Sequence, residues 1–154
     1  MGRLIVSPGT KIYLDAVTII YTVESSESFQ ELRSLWQWVS SGDVFVFTSE
    51  LTLLEVLVQP LRNGNADLVS LYENLLLETE LRLMPVTQPI LRAAAELRSH
   101  ANLKTPDAIH VATALEAGCD VLLTNDRDLS RVSGLEVVLL GEIDGVELGG
   151  HDAV

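Results

Sequence analysis

The sequence predicts an α/β fold, a three-layer α/β/α sandwich with a mostly parallel central sheet. Short runs of β-branched, aromatic and aliphatic residues alternate with longer stretches of helical spacing along the chain. "CDVLLTND" and "LEVVLL" are near-continuous apolar runs of strand length, the pattern of strands covered by helices on both faces. The turns between elements are short, so that a helix returns the chain to start the next strand beside an earlier one.

The elements follow in order. "KIYLD" is a short β-type run ending at Asp15, and "AVTIIYTVE" after it reads as a buried helix or turn. In "SFQELRSLWQWVS", Phe29, Leu32, Leu35, Trp36 and Val39 recur at three-and-four spacing, an amphipathic helix whose aromatics belong to the core. Trp38, two residues from Trp36, faces elsewhere and is a candidate for an interface, and Ser41-Gly42 ends the helix. "DVFVFTSELTLLEVLVQPLR" gives a strand over Val44 to Phe47, a cap at Thr48 or Ser49, and a helix broken near Pro60. "NADLVSLYENLLLETE" places Leu68, Leu71, Tyr72, Leu75 and Leu76 on one helical face. "LRLMPV" is a strand and "QPILRAAAELRSHA" a helix with proline in its first turn. "TPDAIHVATAL" is a further helix, capped by Thr105, with Pro106 in its first turn and its end at Gly118. From Gly141, "GEIDGVELGGHDAV" has four acids, four glycines and no Lys or Arg. The expected organisation is therefore one domain over residues 1–140 and a loosely held acidic, glycine-rich tail over 141–154.

A chain of 154 residues suits one domain with a real core. Apolar residues make up 47% and charged residues 21%, which excludes a disordered middle. Cys119 is the only cysteine, so an internal disulfide and a thiolate metal cage are both excluded. With no secretory h-region in "MGRLIVSPGT" and no apolar run of membrane-spanning length, the expected location is cytoplasmic. The net charge of −12 argues against a simple nucleic-acid-binding module, but not against an enzyme whose site holds metal ions.

The acids point to such a site. The tight "EAGCD" turn makes the helix from 105 antiparallel to the strand that follows it. Roughly a dozen helical residues at about 1.5 Å each span about the same length as five or six extended ones at about 3.3 Å, so Asp107 and Asp126 should share an edge. Asp15 follows the C-terminal end of its own strand, where functional sites of open α/β sheets collect. Glu55, about two turns into its helix, joins them if that helix leans across the same edge. Glu50 is its rival, though a first-turn acid already has a helix-dipole explanation.

Unpaired carboxylates about 4 Å apart repel by about 4 kcal/mol per pair at an effective dielectric near 20. No basic residue lies within three positions of Asp15 or Glu55 to relieve them. Protons or a hard divalent cation such as Mg²⁺ or Mn²⁺ must do so, and such an ion also reconciles an acidic chain with a phosphate substrate.

The stretches "YLDAVTIIY", "TSELTLLEVL", "TPDAIHVATAL" and "LLTNDRDL" together resemble the PIN-domain nucleases, and among them the VapC-type ribonuclease toxins of bacterial toxin–antitoxin pairs. The resemblance covers residues 11 to 140. It implies that Asp15, Glu55, Asp107 and Asp126 form an acidic centre holding one or two Mg²⁺ or Mn²⁺ ions that activate water against an RNA phosphodiester. Asp15, Asp107 and Asp126 are then the metal ligands, Asp128 replaces or supports Asp126, and Thr124 and Asn125 sit behind the ligands. It also implies a small antitoxin that covers the site, and a homodimer. One position departs from the family pattern: Val17 stands where Asn or Ser is usual, so the polar contact there is either lost or taken over by Thr18.

Plainer readings stand beside these. Asp107 suits a helix start on electrostatic grounds alone. Asp126 and Asp128 suit an Asx-type turn, Glu55 a partly exposed helix face, and His110 packing or a structural hydrogen bond. Lys104, Arg127 and Arg131 are either solvated charges or guides for RNA phosphates, and His100 and His151 have no assigned partners. As to function, the alternative to a metal-dependent endoribonuclease is a catalytically weakened PIN-like interaction protein, motivated by Val17 and the negative charge. A DNA substrate stays open, because the sugar is read by contacts the sequence does not reveal. A phosphatase of the haloacid dehalogenase type would need a second aspartate at Val17.

Overall fold

The computed structural model describes residues 2–150, with side chains for all of these except 26–30 and 131. The elements are β1 (Gly2–Val6), β2 (Lys11–Leu14), α1 (Ala16–Glu24), α2 (Ser26–Ser40), β3 (Phe45–Ser49), α3 (Leu51–Arg62), α4 (Ala66–Leu77), β4 (Arg82–Met84), α5 (Gln88–His100), α6 (Thr105–Glu116), β5 (Val121–Thr124), β6 (Glu136–Leu139) and β7 (Ile143–Leu148). Short 3-10 helices follow β5 and β6.

The central sheet has the order β4-β3-β2-β5-β6, and every pairing in it is parallel. Because strand side chains alternate between faces, each central strand feeds two cores. Ile12, Leu14, Val46, Val121 and Leu123 pack with Ile19 of α1, Leu32 and Leu35 of α2, Val56 of α3 and Tyr72 of α4. Tyr13, Phe47 and Leu122 pack on the opposite face with Ile90 and Ala94 of α5 and Ala108, Val111 and Ala112 of α6. The result is the expected three-layer sandwich.

Three local expectations are corrected. The tail reading fails for Ile143–Leu148, which forms β7 and pairs in parallel with β1 as a separate two-stranded ribbon. Ile143 and Val146 are buried in the first core while Asp144 and Glu147 face solvent, so the acids mark the outer face of a strand. The Val146 N–H donates to Ser34 Oγ at 2.8 Å and its carbonyl accepts from the Trp38 indole at 3.1 Å. Trp38 thus has its partner within the chain. Gly149 ends the ribbon, and a Cβ there would lie 2.6 Å from the Ile5 side chain, which would have to shift.

Helix α3 is not broken at Pro60 but runs through it to Arg62, and the Pro60 carbonyl accepts from the Asn65 N–H at 2.8 Å. A proline so near the end removes only a backbone bond of the final turn. Thr105 is not the cap of α6 either: it is the first helical residue, with Lys104 at the cap position and no side-chain cap bond. Arg98 of α5 takes its hydroxyl at 2.8 Å and also binds the Leu103 carbonyl at 2.9 Å, pinning the α5–α6 loop. The side chains of Phe29 and Arg131, and all of His151, lie outside what the structure describes.

Candidate active site

The chain leaves β2 towards β3 and β4 on one side of the sheet, while β5 and β6 lie on the other. The C-terminal ends of β2 and β5 therefore flank the crevice where strand order reverses. Asp15 stands directly after β2 and is only 6% exposed. It caps α1: its Oδ1 accepts from the Thr18 backbone N–H and from the Thr18 hydroxyl, each at 3.0 Å. Its Oδ2 accepts from the hydroxyl of Thr124, the last residue of β5. The one hydrogen of the Thr18 hydroxyl is shared with the Leu123 carbonyl at 2.9 Å, which ties α1 to β5. The polar contact displaced from position 17 is present at Thr18, one residue on, and Val17 turns outward at 39% exposure.

From β5 the chain turns sharply. Thr124 Oγ1 accepts the Asp126 N–H at 3.0 Å, and Asp126 Oδ1 accepts the Asp128 N–H at 2.9 Å. The Asx-type turn is thus real, and it spends one carboxylate oxygen of Asp126. Asn125 acts as a brace: its Oδ1 accepts the Gly141 N–H at 2.9 Å, and its amide nitrogen lies 3.5 Å from the Tyr21 hydroxyl. Asp128 is exposed and lines a cleft with Asn102, Leu103 and Val132 on the α5–α6 loop side. Arg127 reaches Glu142 at 3.7 Å on the surface, and Lys104 is exposed beside the start of α6.

Asp107, in the first turn of α6, lies near enough to Asp126 and Asp15 to feel their charges. Its pKa is raised, first by burial, then by the charge of Asp126 and, less, of Asp15; His110 and Lys104 partly offset this. The carboxylate is held against its own charge, which a helix-start role alone does not require. Among the described residues, no Lys or Arg forms an ion pair with Asp15, Asp107 or Asp126.

Glu55 does lean across the edge, and its partner there is His110 of α6. His110 Nε2 lies 2.6 Å from Glu55 Oε1, and its Nδ1 lies 2.6 Å from the Tyr13 hydroxyl of β2. His110 is 3% exposed and Glu55 26%, so the chain of bonds runs from the core to the mouth of the site. Sequence reasoning assigned His110 a structural bond and missed Tyr13. The available signals were that Tyr13 and Asp15 share strand parity and that His110 follows Asp107 by one helical turn. Glu50, the rival acid, is exposed at the cap position of α3 and makes no side-chain cap bond.

The donor set suits a hard divalent cation: three carboxylates with a raised Asp107 pKa and no paired Lys or Arg among the described residues. Among those residues, no three His, Cys, Asp or Glu side chains converge tightly enough to hold an ion alone. Cys119 is not part of the site; burial pushes its thiol up to about 12.

The family model of the PIN domain matches residues 12–135. No curated protein sequence matches the chain. Among solved structures, the chain is similar to that of VapBC2 from Rickettsia felis bound to a promoter DNA fragment, with a TM-score of 0.68 at 15% identity over 83% of this chain and 98% of that one. It is also similar to a toxin–antitoxin complex from Klebsiella pneumoniae, with a TM-score of 0.59 at 24% identity over 86% and 99%. A third is VapC20 of Mycobacterium tuberculosis, described as a sarcin–ricin loop cleaving toxin, with a TM-score of 0.63 at 19% identity over 82% and 98%. At these identities the likeness is one of fold.

Proposed function

The chain belongs to the PIN domain family, and we propose that it is a metal-dependent endoribonuclease that hydrolyses RNA phosphodiester bonds as the toxin of a type II toxin–antitoxin pair. The observation that supports the reading is the placement of Asp15 and Asp126 after β2 and β5 and of Asp107 at the start of α6, where burial and the charges of Asp126 and Asp15 raise the Asp107 pKa. The likeness to toxin–antitoxin structures, one of them a loop-cleaving toxin, supports the substrate class and the antitoxin partner.

In this reading Asp15, Asp107 and Asp126 would hold Mg²⁺ or Mn²⁺. A bound ion of this kind lowers the pKa of water and offsets charge developing on the phosphate. The chain's own residues do the rest. Thr18 and Thr124 fix both oxygens of Asp15, so that carboxylate presents one orientation. Glu55 keeps one oxygen on His110 and turns the other to a water or its proton at the mouth of the crevice. Lys104 and Arg127, both exposed, steer phosphate towards an otherwise acidic surface. A small antitoxin protein and homodimerisation belong to the same proposal, as does action in the cytoplasm; among the described residues no helix is long and apolar enough to cross a membrane.

The test is incubation of the purified chain, free of any partner, with single-stranded and structured RNA in Mg²⁺ or Mn²⁺. Cleavage abolished both by EDTA and by Asp107→Asn is the expected result. A folded wild-type chain that leaves RNA intact overturns the reading in favour of an interaction protein without turnover, and equal cleavage of DNA overturns the substrate class.

A further inference from the structure

Glu55 sits on a helix whose neighbour Val56 packs in one core, while His110 and Tyr13 face the other. The three meet only because α3 and α6 approach across the C-terminal edge of the sheet. A flexible glutamate, a quarter exposed, would otherwise sample several rotamers, and fixing it has an entropic cost. His110 opposes that freedom. It is itself fixed, being 3% exposed, bonded at both ring nitrogens and edge-on to the Tyr13 ring at 5.8 Å between centroids.

We propose that His110 is a positioning residue for Glu55, donating from Nε2–H to one carboxylate oxygen so that the other is aimed at the acidic crevice, with Tyr13 locking the imidazole from behind. The proposal rests on the nuclease reading above. Nε2 carries a hydrogen whether the ring is neutral or charged, since Glu55 offers an acceptor. With the Tyr13 hydroxyl donating to Nδ1 at 2.6 Å, the ring hydrogen belongs on Nε2.

The test combines turnover with a spectrum that needs no metal. His110→Leu should lower kcat about 10- to 100-fold, the range for partners that orient a site group, with KM for RNA little changed. His110→Gln, which places an amide N–H near the Nε2 position, should largely restore it. Tyr13→Phe removes only a hydroxyl, and serves if His110→Leu does not fold; a kcat reduced by roughly a few-fold at unchanged KM is expected. In a double-mutant cycle, Glu55→Ala and His110→Leu should be strongly non-additive. In ¹⁵N spectra of the metal-free chain, His110 Nε2 should appear protonated and shift in Glu55→Ala. Additive losses, failure of His110→Gln to restore kcat, or an unprotonated Nε2 overturns the proposal. A wild-type chain without turnover removes the reaction and the positioning role together, and the spectrum then shows whether the bond persists without it.

Discussion

Asp15 and Asp107 both stand at the start of a helix, on the same edge of the same sheet, and the protein treats them in opposite ways. Asp15 is wrapped by donors: one backbone N–H and two hydroxyls bind its carboxylate, and it caps α1. Asp107 lies inside the first turn of a helix without a side-chain cap, where burial and the charges of Asp126 and Asp15 oppose its ionisation. One aspartate is held by the fold, and the other is held in spite of it. The lesson is that a helix-start position says little about an acid until its hydrogen bonds and its charged neighbours are known.

The comparison can be broken most directly by removing each member. Both Asp15→Ala and Asp107→Asn should abolish RNA cleavage, but their thermal unfolding in EDTA should move in opposite directions. Asp15→Ala loses a cap worth about 0.5–2 kcal/mol and strands buried hydroxyl and N–H donors at about 1–3 kcal/mol. Asp107→Asn should raise Tm, by about 2–4 °C for each kcal/mol of relieved charge. Calorimetry showing both variants destabilised would remove the asymmetry.

Next in size is the response to metal. An ion bound only by the folded chain stabilises it by about 2.7 kcal/mol at a hundredfold excess over Kd. Titrating Mg²⁺ or Mn²⁺ should raise the wild-type Tm and leave Asp107→Asn nearly unmoved; equal shifts in the two would place the ion elsewhere.

The pH dependence sharpens the contrast. Asp107 has a folded pKa above its unfolded value, so its contribution is fully present below the unfolded pKa and is lost as pH rises through the folded one. In EDTA, the wild-type stability curve should therefore carry a loss with rising pH above 3.8 that Asp107→Asn lacks. Denaturant midpoints across mildly acidic pH read this difference. The smallest effect is expected for Thr18→Val, which leaves the Asp15 cap on the backbone N–H but removes the hydroxyl. Turnover should fall about tenfold with a stability loss of about 1 kcal/mol, measured by single-turnover kinetics and urea unfolding.

The aspartates were readable in the sequence because strand ends and helix starts carry their own signals, and short turns force them to one edge. The central sheet was readable for the same reason: Ile12, Tyr13 and Leu14 sit in a run apolar on both faces. Glu55 was readable only conditionally, since its place depends on how α3 crosses the sheet. Its bond to His110 is a matter of packing between layers, which no local spacing encodes. The cap of α6 was misread at Thr105 because its hydroxyl is taken by Arg98 from another helix. The ribbon was missed because β1 and β7 find each other across nearly the whole chain, and the glycines and acids of β7 imitate a tail.

That ribbon has a consequence for the order in which the molecule is made. Leu4 pairs with Val146, so β1 leaves the ribosome about 140 residues before its partner does. At about 5–20 residues per second, the first strand waits on the order of ten seconds, with Val6 not yet covered and one edge without its mate. Every member of the acidic site, through Asp126, has been synthesised by then. The crevice can therefore assemble on a nascent chain before the ribbon closes, and the last strand to arrive completes the β1 edge and the α2 side of the first core.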